Sequence, residues 1–95
     1  MEYELKDIMP GEQFEASIWR FGGDKDAVLV ASAANSDLFY KSSASTGEKD
    51  ANGWNKIGLT FRIPSGFKEN KIKLYLWNHS EKPAWFDDFE LTRYE

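Results

Sequence analysis

The sequence predicts an all-β fold, an antiparallel β-sandwich of about seven strands, and three observations point to it. Strand-length apolar segments recur along the chain, separated by clusters of Gly, Pro, Asn, Asp and Ser. Within several segments apolar and polar residues alternate with period two, as in a strand with one buried face. No stretch keeps a helical period over three turns, and there is no heptad, internal repeat or low-complexity tract. A length of 95 residues fits one domain, residues 1–95, near the size where a single core is only moderately stable.

Taken in order, the expected strands are Tyr3–Ile8, Gln13–Phe21, Ala27–Ala34, Leu38–Ser42, Asn55–Ile63, Lys71–Asn78 and Trp85–Tyr94. Pro10-Gly11 ends the first, and Gly22-Gly23-Asp24 ends the second. In that second strand Phe14, Ala16 and Ile18 fall on one face, against Gln13, Glu15, Ser17 and Trp19. Asn35-Ser36-Asp37 separates the third strand from the fourth. The following stretch, SASTGEKDANG from Ser43 to Gly53, is too polar to pack and reads as a mobile surface loop. Ile57, Leu59, Phe61 and Ile63 line the fifth strand, which stops at Pro64-Ser65-Gly66. Ile72, Leu74 and Leu76 line the sixth, and the turn His79–Pro83 leads into the last.

Composition narrows the function. A net charge of −4 and a pI near 5.0 argue against a nucleic-acid or anionic-membrane partner. No apolar run approaches the ~20 residues that span a bilayer, so membrane insertion is not expected. The start, MEYELKDI, has neither the basic nor the apolar region of a secretion signal. The chain is therefore expected either in the cytosol or downstream of a removed leader. Without cysteine there are no disulfides and no thiolate metal sites. The sequence has no G-x-S-x-G, phosphate-loop or H-E-x-x-H pattern, and its single histidine, His79, sits in a turn. Catalysis is not expected.

Aromatic residues make up 16% of the chain, more than so small a core calls for. Trp19, Tyr75 and Trp77 fall on strand faces that otherwise carry Glu15, Ser17 and Lys73. Pyranose rings present C–H patches that stack on indole and phenol faces, while their rims offer hydroxyls to polar side chains. A sheet bearing Trp19, Tyr75 and Trp77 beside Glu15, Arg20 and Lys73 would supply both contacts. The expected ligand is a poly- or oligosaccharide. The alternative is a structural or protein–protein module in which the same rings anchor an interface. Trp54 and Trp85 read as structural rings instead.

The last segment contains WFDDFEL, residues 85–91, with adjacent carboxylates inside an apolar strand. Strict alternation puts Asp87 inward with Trp85, Phe89 and Leu91, and Asp88 outward with Glu90. An inward carboxylate needs a cation or several N–H donors. Calcium takes six to eight oxygens, so Asp24, Asp26, Asp50 and Asn52 are further contributors to consider. Their spacing matches no EF-hand, and backbone N–H groups at the sandwich rim are the expected partner of Asp87.

Three stretches, MPGEQFEASIWRF, GWNKIGLTFRIPSG and AWFDDFELTRYE, resemble the jelly-roll carbohydrate-binding modules of galactose-binding-like fold, especially the family 4/9 and 22 group. The likeness spans Tyr3 to Glu95. It implies a non-catalytic accessory module of an extracellular, periplasmic or cell-surface protein, with a structural calcium ligand at Asp87 and stacking rings at Trp19, Tyr75 and Trp77. Family members usually have earlier strands, including an Asn/Gly-Phe-Glu stretch that completes the calcium site. This chain starts after that point, which implies a truncated module with bare sheet edges. A homodimer that pairs those edges or swaps strands would remedy this; the alternative is a fragment or a degenerate module.

Overall fold

A computed structural model describes residues 2–22, 26–35, 38–79 and 81–94. Asp24, a calcium candidate above, and the turn residues Gly23, Ser36, Asp37 and Ser80 lie outside the described residues.

The chain forms an antiparallel β-sandwich of eight strands: β1 (Glu2–Lys6), β2 (Gln13–Gly22), β3 (Ala27–Ser32), β4 (Tyr40–Ser42), β5 (Ala44–Lys49), β6 (Asn55–Arg62), β7 (Lys71–Asn78) and β8 (Ala84–Tyr94). One sheet has the order β1-β7-β3-β4 and the other β5-β6-β2-β8. All pairings are antiparallel. Only β3–β4 and β5–β6 are consecutive strands in the same sheet; every other connection crosses between sheets. Each strand can therefore turn its apolar face toward the opposite sheet.

The predicted inner faces are the core. Phe14, Ala16 and Ile18 of β2 meet Ile57, Leu59 and Phe61 of β6 across the ladder, all nearly solvent-free. Leu29 and Ala31 of β3, Ile72 and Leu74 of β7 and Leu5 of β1 complete the cluster from the facing sheet. Phe14 and Phe61 stack at 5.4 Å between ring centroids. On the outward side of β3, Val28 and Val30 are also buried, directly opposite Trp77 and Tyr75 of β7 in register. Cross-strand neighbours on one face lie within side-chain reach, so those two rings help cover the valines.

Two expectations about local structure are corrected. The stretch Ser43–Gly53 is not wholly a loop: Ala44–Lys49 forms β5, an edge strand paired with β6. Its six residues are all exposed, so no apolar alternation marks it. Main-chain pairing to β6 holds it, with Thr46 Oγ1 donating to the Lys56 carbonyl at 3.2 Å. Ser43 joins β4 to β5 and so carries the chain from one sheet to the other; its Oγ accepts the Leu29 N–H at 2.9 Å.

The second correction concerns WFDDFEL. From Ser17 to Trp19, β2 advances two residues, while the opposite step on β8, Glu90 to Asp87, takes three. One extra residue is thus accommodated as a β-bulge. Asp88 sits there at φ +57°, and its N–H donates to Asp87 Oδ1 at 2.9 Å. Asp and Asn tolerate this left-handed conformation better than other residues that carry a Cβ. The bulge shifts the alternation by one. Phe89 and Leu91 point inward as expected, but before the bulge it is Phe86 that packs on the core. Trp85 is 54% exposed, and both Asp87 and Asp88 are exposed. Asp87 therefore does not turn inward.

Candidate functional site

Three of the residues proposed for binding from sequence lie on β2 and three on β7, and these strands belong to different sheets. Trp19 and Glu15 are on the outer face of the β5-β6-β2-β8 sheet; Lys73, Tyr75 and Trp77 are on the outer face of the other. The two faces point in opposite directions. A single surface holding Trp19, Tyr75 and Trp77 is therefore not formed, because period-two alternation assigns a face within a strand but not the sheet to which the strand belongs.

Arg20 is on neither outer face. In step with Phe14, Ala16 and Ile18, it points between the sheets at one end of the sandwich. Its Nη1 donates to the Ala27 carbonyl at 2.8 Å and Nη2 to Asn55 Oδ1 at 2.9 Å. It ties β2 to β3 of the opposite sheet and to β6, a structural task. The signal for this was its parity with Phe14.

On the β7 side, Lys73 pairs with Glu2 at 3.3 Å, and Trp77 is 48% exposed with the His79 ring 4.4 Å from its own. His79 Nε2 lies 4.0 Å from Asp26 Oδ1. Burial, and then the neighbouring Tyr40, raise the Tyr75 hydroxyl above its ordinary pKa.

On the β2 side a richer site forms, from Trp19 and Asp88, which alternation placed outward, from Asp87, which it placed inward, and from Asp50 and Trp54, which it did not assign. Trp19 stands opposite Lys56 of β6 and Asp87 of β8. A shallow concavity of about 210 Å³ is lined by Trp19, Asp50, Trp54, Asp87 and Asp88. Asp50 shapes its rim: its Oδ1 accepts the Asn52 and Trp54 N–H groups at 2.8 and 3.0 Å, and its own N–H donates to the Trp54 carbonyl. That closed turn holds the Trp54 indole over the sheet. Phe21 buttresses it, with ring centroids 5.5 Å from Trp54 and 5.9 Å from Trp85.

Two glycines make this aromatic packing feasible. Gly53, at φ +91°, brings the turn so close that a Cβ would lie 3.0 Å from the Phe21 ring. Gly22, at φ +76°, has the Pro83 carbonyl and the Trp85 ring where a Cβ would go, at 2.7 and 3.1 Å.

Beyond Trp19 the same face carries mainly polar residues. Ser17 lies between Gly58 and Glu90 in register, and Glu15 lies between Thr60 and Thr92. Lys56 and Glu48 pair at 3.3 Å along its side. Glu15 accepts the Tyr94 hydroxyl at 2.8 Å, and that hydrogen bond, with the carboxylate's charge, raises the Tyr94 pKa. Glu15, Ser17, Thr46, Lys56, Gly58 and Thr60 line a second, separate depression on this face.

Asp87, the calcium ligand that the resemblance implies, is exposed beside the bulge and does not turn into the core. Asp87 Oδ1 accepts a backbone N–H, as does Asp50 Oδ1, and Asp26 lies beside His79. Among the described residues no group of three or more His, Cys, Asp or Glu side chains is set to hold a metal ion.

Comparison of the chain with protein-family models, curated proteins and solved structures returned no match. The β-sandwich is shown by the strand pairing itself.

Proposed function

We propose that this chain is a non-catalytic carbohydrate-binding β-sandwich, and that it binds on the outer face of the β5-β6-β2-β8 sheet. The observation that carries this reading is the concavity in which Trp19 and Trp54 stand beside Asp50, Asp87 and Asp88. Half-buried indoles are fixed in orientation yet keep a face for the C–H patch of a pyranose, and carboxylates accept from its hydroxyls. The second depression on the same face, with Glu15, Thr46, Lys56 and Thr60 in its lining, leaves room for a further sugar unit. Affinity per site is weak, because sugar hydroxyls are well hydrated before binding. An accessory role in an extracytoplasmic glycan-degrading protein accords with this reading.

Tryptophan fluorescence during titration with a panel of oligosaccharides tests it. Binding is expected to be lost in Trp19→Ala and Trp54→Ala and kept in Trp77→Ala, with thermal melts verifying that each variant folds. A second reading, a protein-interaction module, is favoured by the exposed Trp77 and Tyr40 on the opposite sheet. If no glycan perturbs the spectrum and the protein self-associates through Trp77, that second reading replaces the first.

A further inference from the structure

We infer that the chain self-associates through the free edge of β1, as a two-fold dimer in which β1 of each copy pairs antiparallel with β1 of the other. This goes beyond the carbohydrate reading and does not depend on it. β1 ends its sheet, so among the described residues one side of its main chain meets no strand. Unpaired N–H and C=O groups along an edge are a template for another strand unless the edge is very short, bulged or covered. The other three edges have such protection. β4 has three residues, the register of β5 with β6 breaks between Ser45 and Lys49, and β8 carries the bulge at Asp88. β1 runs unbroken against β7 from Glu2 to Lys6.

The charges of β1 fit a second copy of itself. A two-fold axis sets residue i opposite j and j opposite i. With the axis at Glu4, Glu2 faces Lys6 of the second copy, Lys6 faces its Glu2, and Tyr3 faces its Leu5. With the axis at Tyr3, Glu2 faces Glu4, a like pair that destabilises. With the axis at Leu5, the strand must run on through Asp7, whose φ of +56° ends the extended conformation. Within one copy Lys6 stands opposite Lys71 of β7, and Glu2 of the second copy lies on its other side. Glu2 already pairs with Lys73 at 3.3 Å, an exposed contact that a carboxylate can share with a second ammonium. The two central Glu4 side chains meet at the axis. Each is offset by Lys73 across the ladder and by Lys6 at 3.7 Å. On the inward side, a cleft of about 480 Å³ lined by Tyr3, Leu5, Phe14, Leu91 and Arg93 opens beside this edge. Tyr3 is 44% exposed there, its ring 6.1 Å from that of Phe89, and Leu5 of the second copy covers it.

Sedimentation equilibrium of the full chain over a concentration series tests this. An edge of five residues buries less than the ~800 Å² per partner of a standard interface, so the dimer is expected above about 100 µM and the monomer well below it. Glu2→Lys puts two lysine pairs across the axis, and Lys6→Glu puts two glutamate pairs there. Each variant alone should weaken the dimer about tenfold. Mixed in equal amounts they should associate within about twofold of the parent, because every mixed contact again joins a lysine to a glutamate. Glu4→Gln removes the like pair at the axis and should tighten the dimer a few-fold. Trp77→Ala should leave it unchanged. Circular dichroism melts verify that each variant folds.

A parent chain still monomeric at about 1 mM binds itself too weakly for a specific edge and overturns the inference. A dimer that both single variants keep, or that Trp77→Ala dissolves, places the contact elsewhere and overturns it too. Single variants that weaken the dimer without recovery on mixing refute the pairing of Glu2 with Lys6, and the inference falls with that pairing.

Discussion

The β-bulge at Asp87-Asp88 makes a quantitative demand on position 88. A left-handed conformation costs an ordinary L-residue about 1–2 kcal/mol, less for Asp and Asn, and nothing sterically for Gly. Asp88 sits at φ +57°, in the middle of an eleven-residue strand whose inner face carries Phe86, Phe89 and Leu91. Asp88→Val adds β-branching to the strain and should destabilise the protein by about 2 kcal/mol. For a domain of this size that lowers Tm by roughly 8–16 °C. Asp88→Asn should stay within about 0.5 kcal/mol of the parent. Asp88→Gly should stay within about 1 kcal/mol, since relief of strain offsets the extra entropy of the unfolded chain. Deleting Asp88 is the harsher test. Without the extra residue, Trp85 and Phe86 exchange faces, and the loss should approach that of a large core truncation, about 3 kcal/mol or more. Thermal unfolding followed by circular dichroism measures all four. A Val variant that melts with the parent, or a deletion that does, would refute the bulge and with it the outward placement of Asp87.

Two further outcomes follow from the hydrogen bonds. Arg20→Ala removes both guanidinium contacts, to the Ala27 carbonyl and to Asn55, and should cost about 2–3 kcal/mol in chemical denaturation; a loss below about 0.5 kcal/mol would mean the two sheets are not tied there. Tyr94 and Tyr75 have folded pKa values above 10.0, so each stabilises the fold fully below about pH 10, and that contribution is lost as pH rises through the raised values. In a tyrosinate absorbance titration, Glu15→Gln should move the Tyr94 step back toward 10.0, and an unchanged titration would mean that the Glu15–Tyr94 hydrogen bond is not made.

Part of the site was legible in the sequence and part was not. The aromatic surplus and the outward position of Trp19 follow from composition and alternation, and the structure keeps Trp19 on the outer face of β2. Asp50 was legible only as part of a loop and Trp54 only as a structural ring, since nothing local says that the Asp50 turn sets that indole beside Trp19. Trp85 was misassigned because its parity was counted through a bulge. Alternation propagates any insertion to every residue beyond it, so one left-handed aspartate reversed the reading of three positions.

What the sequence by itself determined is the set of inner faces. Apolar residues at every second position must be removed from water, and that demand is local to each strand in β2, β6 and β7. The tertiary structure alone decided which strands share a sheet, because pairing depends on how connections cross the sandwich and not on a strand's own side chains. It also decided that a fully polar stretch forms β5, since an edge strand needs main-chain partners and no buried face. The same long-range pairing set Trp19 apart from Tyr75 and Trp77 and brought it to Trp54 and three aspartates. The adjacent carboxylates of WFDDFEL are thus not an acid buried in a core. They are the bulge that turns a strand's charge outward to the indoles.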